Sequence, residues 1–143
     1  MSPIPSILGP VIVLNGWTLV VETWMYSVLI PAFRKMGNLT NTMTKGQTDL
    51  HLPAPVRWKR DNYNHLFEQP TQFYAVALTL AVARGSENRT DLVLAWAYVG
   101  ARIAHTLVHC TRNHLMTRFS LFATSSGLLA IMTARAAKLV FGF

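Results

Sequence analysis

Charge is what this sequence has least of. Asp, Glu, Lys and Arg supply 13% of its 143 residues, about half the roughly 25% of a soluble globular domain. A water-facing surface needs about 25–35% charged residues, and this chain cannot build one. Acidic groups are the scarcer sign: six Asp+Glu stand against thirteen Lys+Arg, for a net charge of +7. The single cysteine, Cys110, excludes an internal disulfide, and neither CxxC nor a zinc-finger spacing occurs. No internal repeat or low-complexity run is present, and the length suits one domain over residues 1–143. Disorder is excluded by a 51% hydrophobic share and 10% aromatics, which bury far more surface than a disordered segment can. The mean hydropathy is +0.28.

What is present is a set of long apolar runs, near the roughly 20 residues that cross a bilayer. Four spans are expected, over about 11–33, 63–83, 92–112 and 115–141. Pro10 opens the first, and Pro31, Arg34 and Lys35 close it; with no basic leader or small-residue cleavage site, it is read as retained. Arg84-Gly85-Ser86 ends the second, and Asp91 is the expected N-cap of the third. Short second and third connections make neighbouring helices antiparallel. The fold class expected is therefore all-α, an integral membrane antiparallel four-helix bundle. The first connection, about 34–61, is longer and polar.

Placement of the cations gives an orientation. Arg34, Lys35, Lys45, Arg57, Lys59, Arg60, Arg112 and Arg118 fall at one face, and Arg84, Arg89, Arg135 and Lys138 at the other. The positive-inside rule then puts the long connection in the cytoplasm and both termini on the non-cytoplasmic side. The basicity is thus mostly topology and contact with lipid headgroups, and no nucleic-acid partner is expected, because no basic stripe with interleaved aromatics exists on a soluble module.

Polar side chains at membrane depth are costly and mark candidate sites. Arg60, Asn64, Glu68 and Gln72 recur every four residues, with Asp61 among them; at about 100° per residue they share a face. The ordinary reading is a capped helix start with i,i+4 ion pairs, which leaves Glu68 and Gln72 unexplained. Arg102, His105, His109 and Arg112 also share one face, a cationic stripe. The two histidines could bind a metal with Glu68 as the third ligand at about 2 Å, or one of them could ligate haem, for which no second-helix histidine sits at matching depth; the reading adopted holds no metal. Arg118 begins the fourth span, followed by Phe119, Phe122 and Ser125-Ser126. An end-of-span arginine is often a snorkelling anchor. Here Arg60, Asn64, His109, Arg112 and Arg118 fall in one cytoplasmic half and describe an anion pocket. Glu22 stands alone in the first span, and an ion pair with Arg102 is expected at matching depth. Cys110 reads as core filling, the four tryptophans as interfacial belts and packing, and Asn38 and Asn88 as sequons that matter only in a secreted setting.

Two segments carry a family resemblance: RWKRDNYNHLFEQPTQFYAVAL, residues 57–78, and AWAYVGARIAHTLVHCTRNHLMTRFSLF, residues 95–122. The chain resembles the membrane-associated proteins in eicosanoid and glutathione metabolism, the MAPEG family, over nearly its whole length, and DNYNHLFEQP looks like a bacterial subgroup of it. The run Arg102-x-x-His105-Thr106, followed by Arg118, matches the family's prostaglandin E synthase branch without a gap. The resemblance implies a homotrimer that binds glutathione between subunits at the cytoplasmic side. It implies that Arg60, Asn64 and Glu68 contact the charged ends of the tripeptide, that Arg102, His105 and His109 line its bed, and that Arg118 is the catalytic, thiolate-activating residue. Arg112 joins the expected ligand-binding set from its place on the cationic stripe. A guanidinium beside a thiol favours the nucleophilic thiolate. Three departures stand out: Asn64 and Glu68 are one residue further apart than the family's Asn-x-x-Glu, His109 and Phe122 replace tyrosines, and Phe119 replaces a serine.

Two functions follow as expectations. The first is a glutathione-dependent transferase or peroxidase of the bacterial inner membrane, acting on lipophilic electrophiles from the bilayer. The second is a non-catalytic membrane protein that binds lipid or quinone, or an accessory subunit of a larger complex.

Overall fold

The computed structural model describes residues 5–37, 42–84 and 88–142. Asn38, in the first sequon, and the Gly85-Ser86 stop of the second span lie outside them. The described chain is all-helical, with no strand: α1 Leu8–Met36, α2 Lys45–His51, α3 Ala54–His65, α4 Gln69–Ala83, α5 Arg89–Thr111 and α6 Leu115–Phe141. Two of these, α1 and α6, are long and apolar enough to cross a membrane.

Local chemistry explains the boundaries. Arg34 and Lys35 sit in the last turn of α1, where cations complement the helix dipole. Gly37 closes that helix at φ 61°, a left-handed conformation that glycine adopts without steric cost. The polar connection is not an open loop: it carries α2 and most of α3, and Thr44 with Gln47 forms a capping box at the start of α2. The N-cap of α5 is Asn88 rather than Asp91; its side chain accepts from the Asp91 backbone N–H at 3.2 Å.

The second span is not one rod. It breaks between α3 and α4, with residues 66–68 outside both helices. Pro70 stands in the first turn of α4. Proline donates no N–H, and its ring clashes with the carbonyl four residues back, so a continuous helix through Leu66 is disfavoured and Pro70 starts a new one.

The most extensive packing is α5 on α6, while α3 packs on α1 and α5, and α4 on α6. The main apolar cluster joins Leu14, Phe73, Ala77, Ala95, Tyr98 and Met132, with Phe73 and Tyr98 stacked at 4.4 Å. A second cluster joins Met25 and Leu29 of α1 to Leu52. Ile12, Leu19, Val20, Val82, Val93 and Ile131 stay exposed.

Buried polar groups cross-link the helices. Asp91, 2% exposed, pairs with Arg84 at 2.6 Å and with Arg135 of α6. Gln69 donates to Ser126 at 2.6 Å and accepts from Ser125 at 3.0 Å and from the Tyr98 hydroxyl at 3.4 Å. Lys59 Nζ donates to the carbonyls of Pro55 at 3.1 Å and Cys110 at 3.3 Å and lies over the Trp24 ring. Cys110 is free and buried.

Candidate functional site

A cavity of about 500 Å³ opens where α2, α3, the end of α5 and the start of α6 meet. Its size falls within the roughly 300–1,000 Å³ of small-molecule sites. Asn64, His65 and Glu68 reach it from the end of α3 and the break that follows, His109 from α5, and Arg118 from α6. Lys45 and Asp49 of α2, and Arg57, Trp58 and Asp61 of α3, complete much of the wall, with Asn113 at the α5–α6 turn.

The turn sets the position of Arg118. Asn113 adopts φ 50°, a conformation in which asparagine is enriched among non-glycine residues, and its N–H bonds the Val108 carbonyl at 2.7 Å. Its side-chain oxygen accepts from Arg118 Nη1. Arg118 Nε is buried without a hydrogen-bond partner.

Beneath the cavity lies an aromatic and imidazole floor. His65 packs against His105 and His109, with ring centroids 5.8 and 6.4 Å away. It lies flat on Phe122 at 5.9 Å and 16°. The Nδ1 atoms of His105 and His109 are buried without partners. His65 Nδ1 contacts the Glu68 carboxylate. Among the described residues no group of three or more His, Cys, Asp or Glu side chains has the geometry to hold a metal ion.

The two sequence stripes are brought together only in part. Arg118, Asn64, Glu68 and His109 share the cavity. His105 lies in the layer below, 2% exposed. Arg60 pairs with Asp49 and lies 3.7 Å from Asp61, outside the lining. Arg112, the C-cap residue of α5, is exposed and lines nothing here. Gln72 is exposed as well, because the break ends the four-residue repeat and Gln69 turns inward instead. The expected Glu22–Arg102 pair is absent among the described residues: Glu22 faces Tyr63, while Arg102 Nη2 donates to the His65 carbonyl at 3.1 Å. The lining is also not predominantly cationic. Lys45, Arg57 and Arg118 face Asp49, Asp61 and Glu68 across it.

The MAPEG family model matches residues 7–138 of the chain. The chain belongs to the MAPEG family. No protein of curated function and no solved structure matches it. MAPEG membership places it in a membrane family that is generally glutathione-associated.

In this MAPEG chain, several wall residues escape a reading by helical period. His65 sits one position off the Asn64–Glu68 stripe and becomes central only because the helix breaks after it. Lys45 and Asp49 arrive through α2, a helix within a segment that reads as polar loop. Asn113 carried a signal, an asparagine directly after the last turn of a helix, which suits a left-handed cap.

Proposed function

We propose that this protein is an integral membrane, glutathione-dependent transferase or peroxidase acting on lipophilic electrophiles. Residues 1–143 form one domain, a four-helix bundle in which α3 and α4 together make the second rod. The cavity lies on the cytoplasmic side, both termini on the other, and the protein works as a homotrimer in a bacterial inner membrane. A half-site at the bundle surface, left facing lipid in a lone subunit, supports the trimer.

The observation that carries this reading is the Arg118 guanidinium, fixed by Asn113 and lining the cavity with a buried Nε free to donate. A thiol within reach of that guanidinium is stabilised as the thiolate, the nucleophilic form. The thiolate sulfur then attacks an electrophilic carbon, breaking its bond to the leaving group, or a peroxide oxygen, breaking the O–O bond to give a sulfenic acid and an alkoxide. The departing anion takes a proton from water, and a second glutathione converts the sulfenic acid to the disulfide and water. The mixed charge of the wall suits glutathione better than a simple anion. Its two carboxylates match Lys45 and Arg57, neither of which forms an ion pair among the described residues, and Glu68 offers a partner for its ammonium. Arg60, Arg102 and His105 support the site from outside the lining.

The second reading, a lipid- or quinone-binding or accessory protein, draws on Leu115, Met116 and Phe119, exposed apolar side chains on the turn that holds Arg118. One titration separates the two. Glutathione is added to the detergent-solubilised protein while thiolate absorbance and thermal stability are followed. A ligand at a hundred times its dissociation constant stabilises by about 2.7 kcal/mol. A rise in both signals is expected; no response at millimolar glutathione overturns the enzyme reading in favour of the second.

A further inference from the structure

Arg102 is fully buried, 0% exposed, and does not line the cavity. No carboxylate lies within ion-pair distance of it among the described residues. Among the described residues its one hydrogen bond goes to a backbone oxygen, the carbonyl of His65, from Nη2 at 3.1 Å. His65 is the last residue of α3, where the second rod breaks.

A helix end leaves carbonyls without intrahelical partners and carries partial negative charge. At this end the carbonyls of Asn62, Tyr63 and Asn64 are answered by the N–H groups of Leu66 and Phe67 at 3.0–3.1 Å. The His65 carbonyl receives only a long bond, 3.4 Å, from the Glu68 N–H. The guanidinium of Arg102 supplies its second donor, and a cation at a helix C-terminus is favourable. The residues on either side of that carbonyl, Asn64, His65 and Glu68, are the ones the break presents to the cavity.

We infer that Arg102 is a positioning residue: it caps the broken end of α3 and thereby fixes His65 and Glu68 in the cavity wall, without touching the ligand. The assignment revises the ligand-bed role suggested for Arg102 by sequence. Its ligand arm rests on the glutathione reading above, whereas its structural arm does not.

The test uses the full-length protein in detergent, with Arg102→Met and Arg102→Lys, in two measurements. Hydrogen–deuterium exchange without ligand is expected to show faster exchange at residues 66–68 in R102M, with α6 unaffected and protection largely restored in R102K, whose ammonium still donates. Unchanged exchange at the break in R102M overturns the inference, as does equal loosening throughout the chain. Glutathione binding is then compared with that of analogues lacking one or other carboxylate. The loss of a charge-assisted hydrogen bond predicts about tenfold weaker binding in R102M, by the same factor for every analogue, because the defect lies in the wall. A penalty that vanishes for one analogue shows direct contact with that carboxylate and overturns the inference. If the unmodified protein binds no glutathione, the function proposed above fails, and the exchange measurement still decides the role of Arg102. R102K melting at the unmodified temperature keeps the comparison valid where R102M folds poorly.

Discussion

Asn113 holds Arg118 from five residues away, across the turn that joins α5 to α6. One residue does two jobs there: its backbone takes the left-handed conformation that reverses the chain, and its side-chain oxygen accepts from the guanidinium. The jobs are separable by substitution. Asn113→Gly keeps the backbone conformation and frees Arg118, so melting is expected to change little while the glutathione thiolate signal falls. Asn113→Ala keeps the β-carbon at φ 50° but loses the side-chain hydrogen bonding that lets asparagine tolerate a conformation costing other residues about 1 kcal/mol, and should lower both. Thermal melts and thiolate absorbance on the same samples check the pair.

Arg118→Ala is expected to abolish the thiolate signal while the helical circular dichroism and melting stay close to those of the unmodified protein, because the residue is only half-buried. Arg118→Lys retains the charge without the planar fork and should recover part of the signal. An unchanged signal in the alanine variant moves the activating role to another wall residue.

Asp91→Asn removes the one anion between Arg84 and Arg135. Breaking a buried pair by deleting one partner costs about 3 kcal/mol, so a fall of that order in unfolding free energy is expected. Urea titration reports it. Glutathione affinity should be unchanged, since this cluster joins the end of α4 to α5 and α6 and contributes nothing to the cavity wall.

Gln69→Leu strips the fully buried Tyr98 hydroxyl of its acceptor. A loss of about 1–3 kcal/mol follows from that unsatisfied group, with Ser125 and Ser126 spared because each also bonds the Phe122 carbonyl, at 2.8 and 2.9 Å. Equal stability of the variant and the unmodified protein would show that the network adds nothing net.

Much of the helical layout is legible in the sequence, because apolar runs bounded by Arg, Pro and Gly report both length and ends. The α6 limits and the convergence of Asn64, Glu68, His109 and Arg118 can be read that way. The rest depends on a phase change that periodicity cannot see. Extending the 60–64–68–72 repeat assumes an unbroken helix, yet Pro70 interrupts it, so Gln69 rather than Gln72 meets Ser125 and Ser126. Depth matching likewise paired Glu22 with Arg102. It could not anticipate that a broken helix end would expose a backbone acceptor to that guanidinium. Asp91 reads as a cap by position, whereas its burial follows from two cations, Arg84 on the preceding helix end and Arg135 far along the chain.

The two apolar clusters share no residue: one gathers α1, α4, α5 and α6, the other ties α1 to Leu52 just before α3. The stretch that supplies Lys45, Asp49, Arg57 and Asp61 therefore rests on the long rods through a few contacts of its own: Leu52 on α1, Lys59 on the Cys110 carbonyl, and the His65 carbonyl on Arg102. Selection can retune what this chamber admits at Lys45, Asp49, Arg57 and Asp61, whereas exchanges at Leu52, Lys59 or Asn62 also disturb the scaffold beneath.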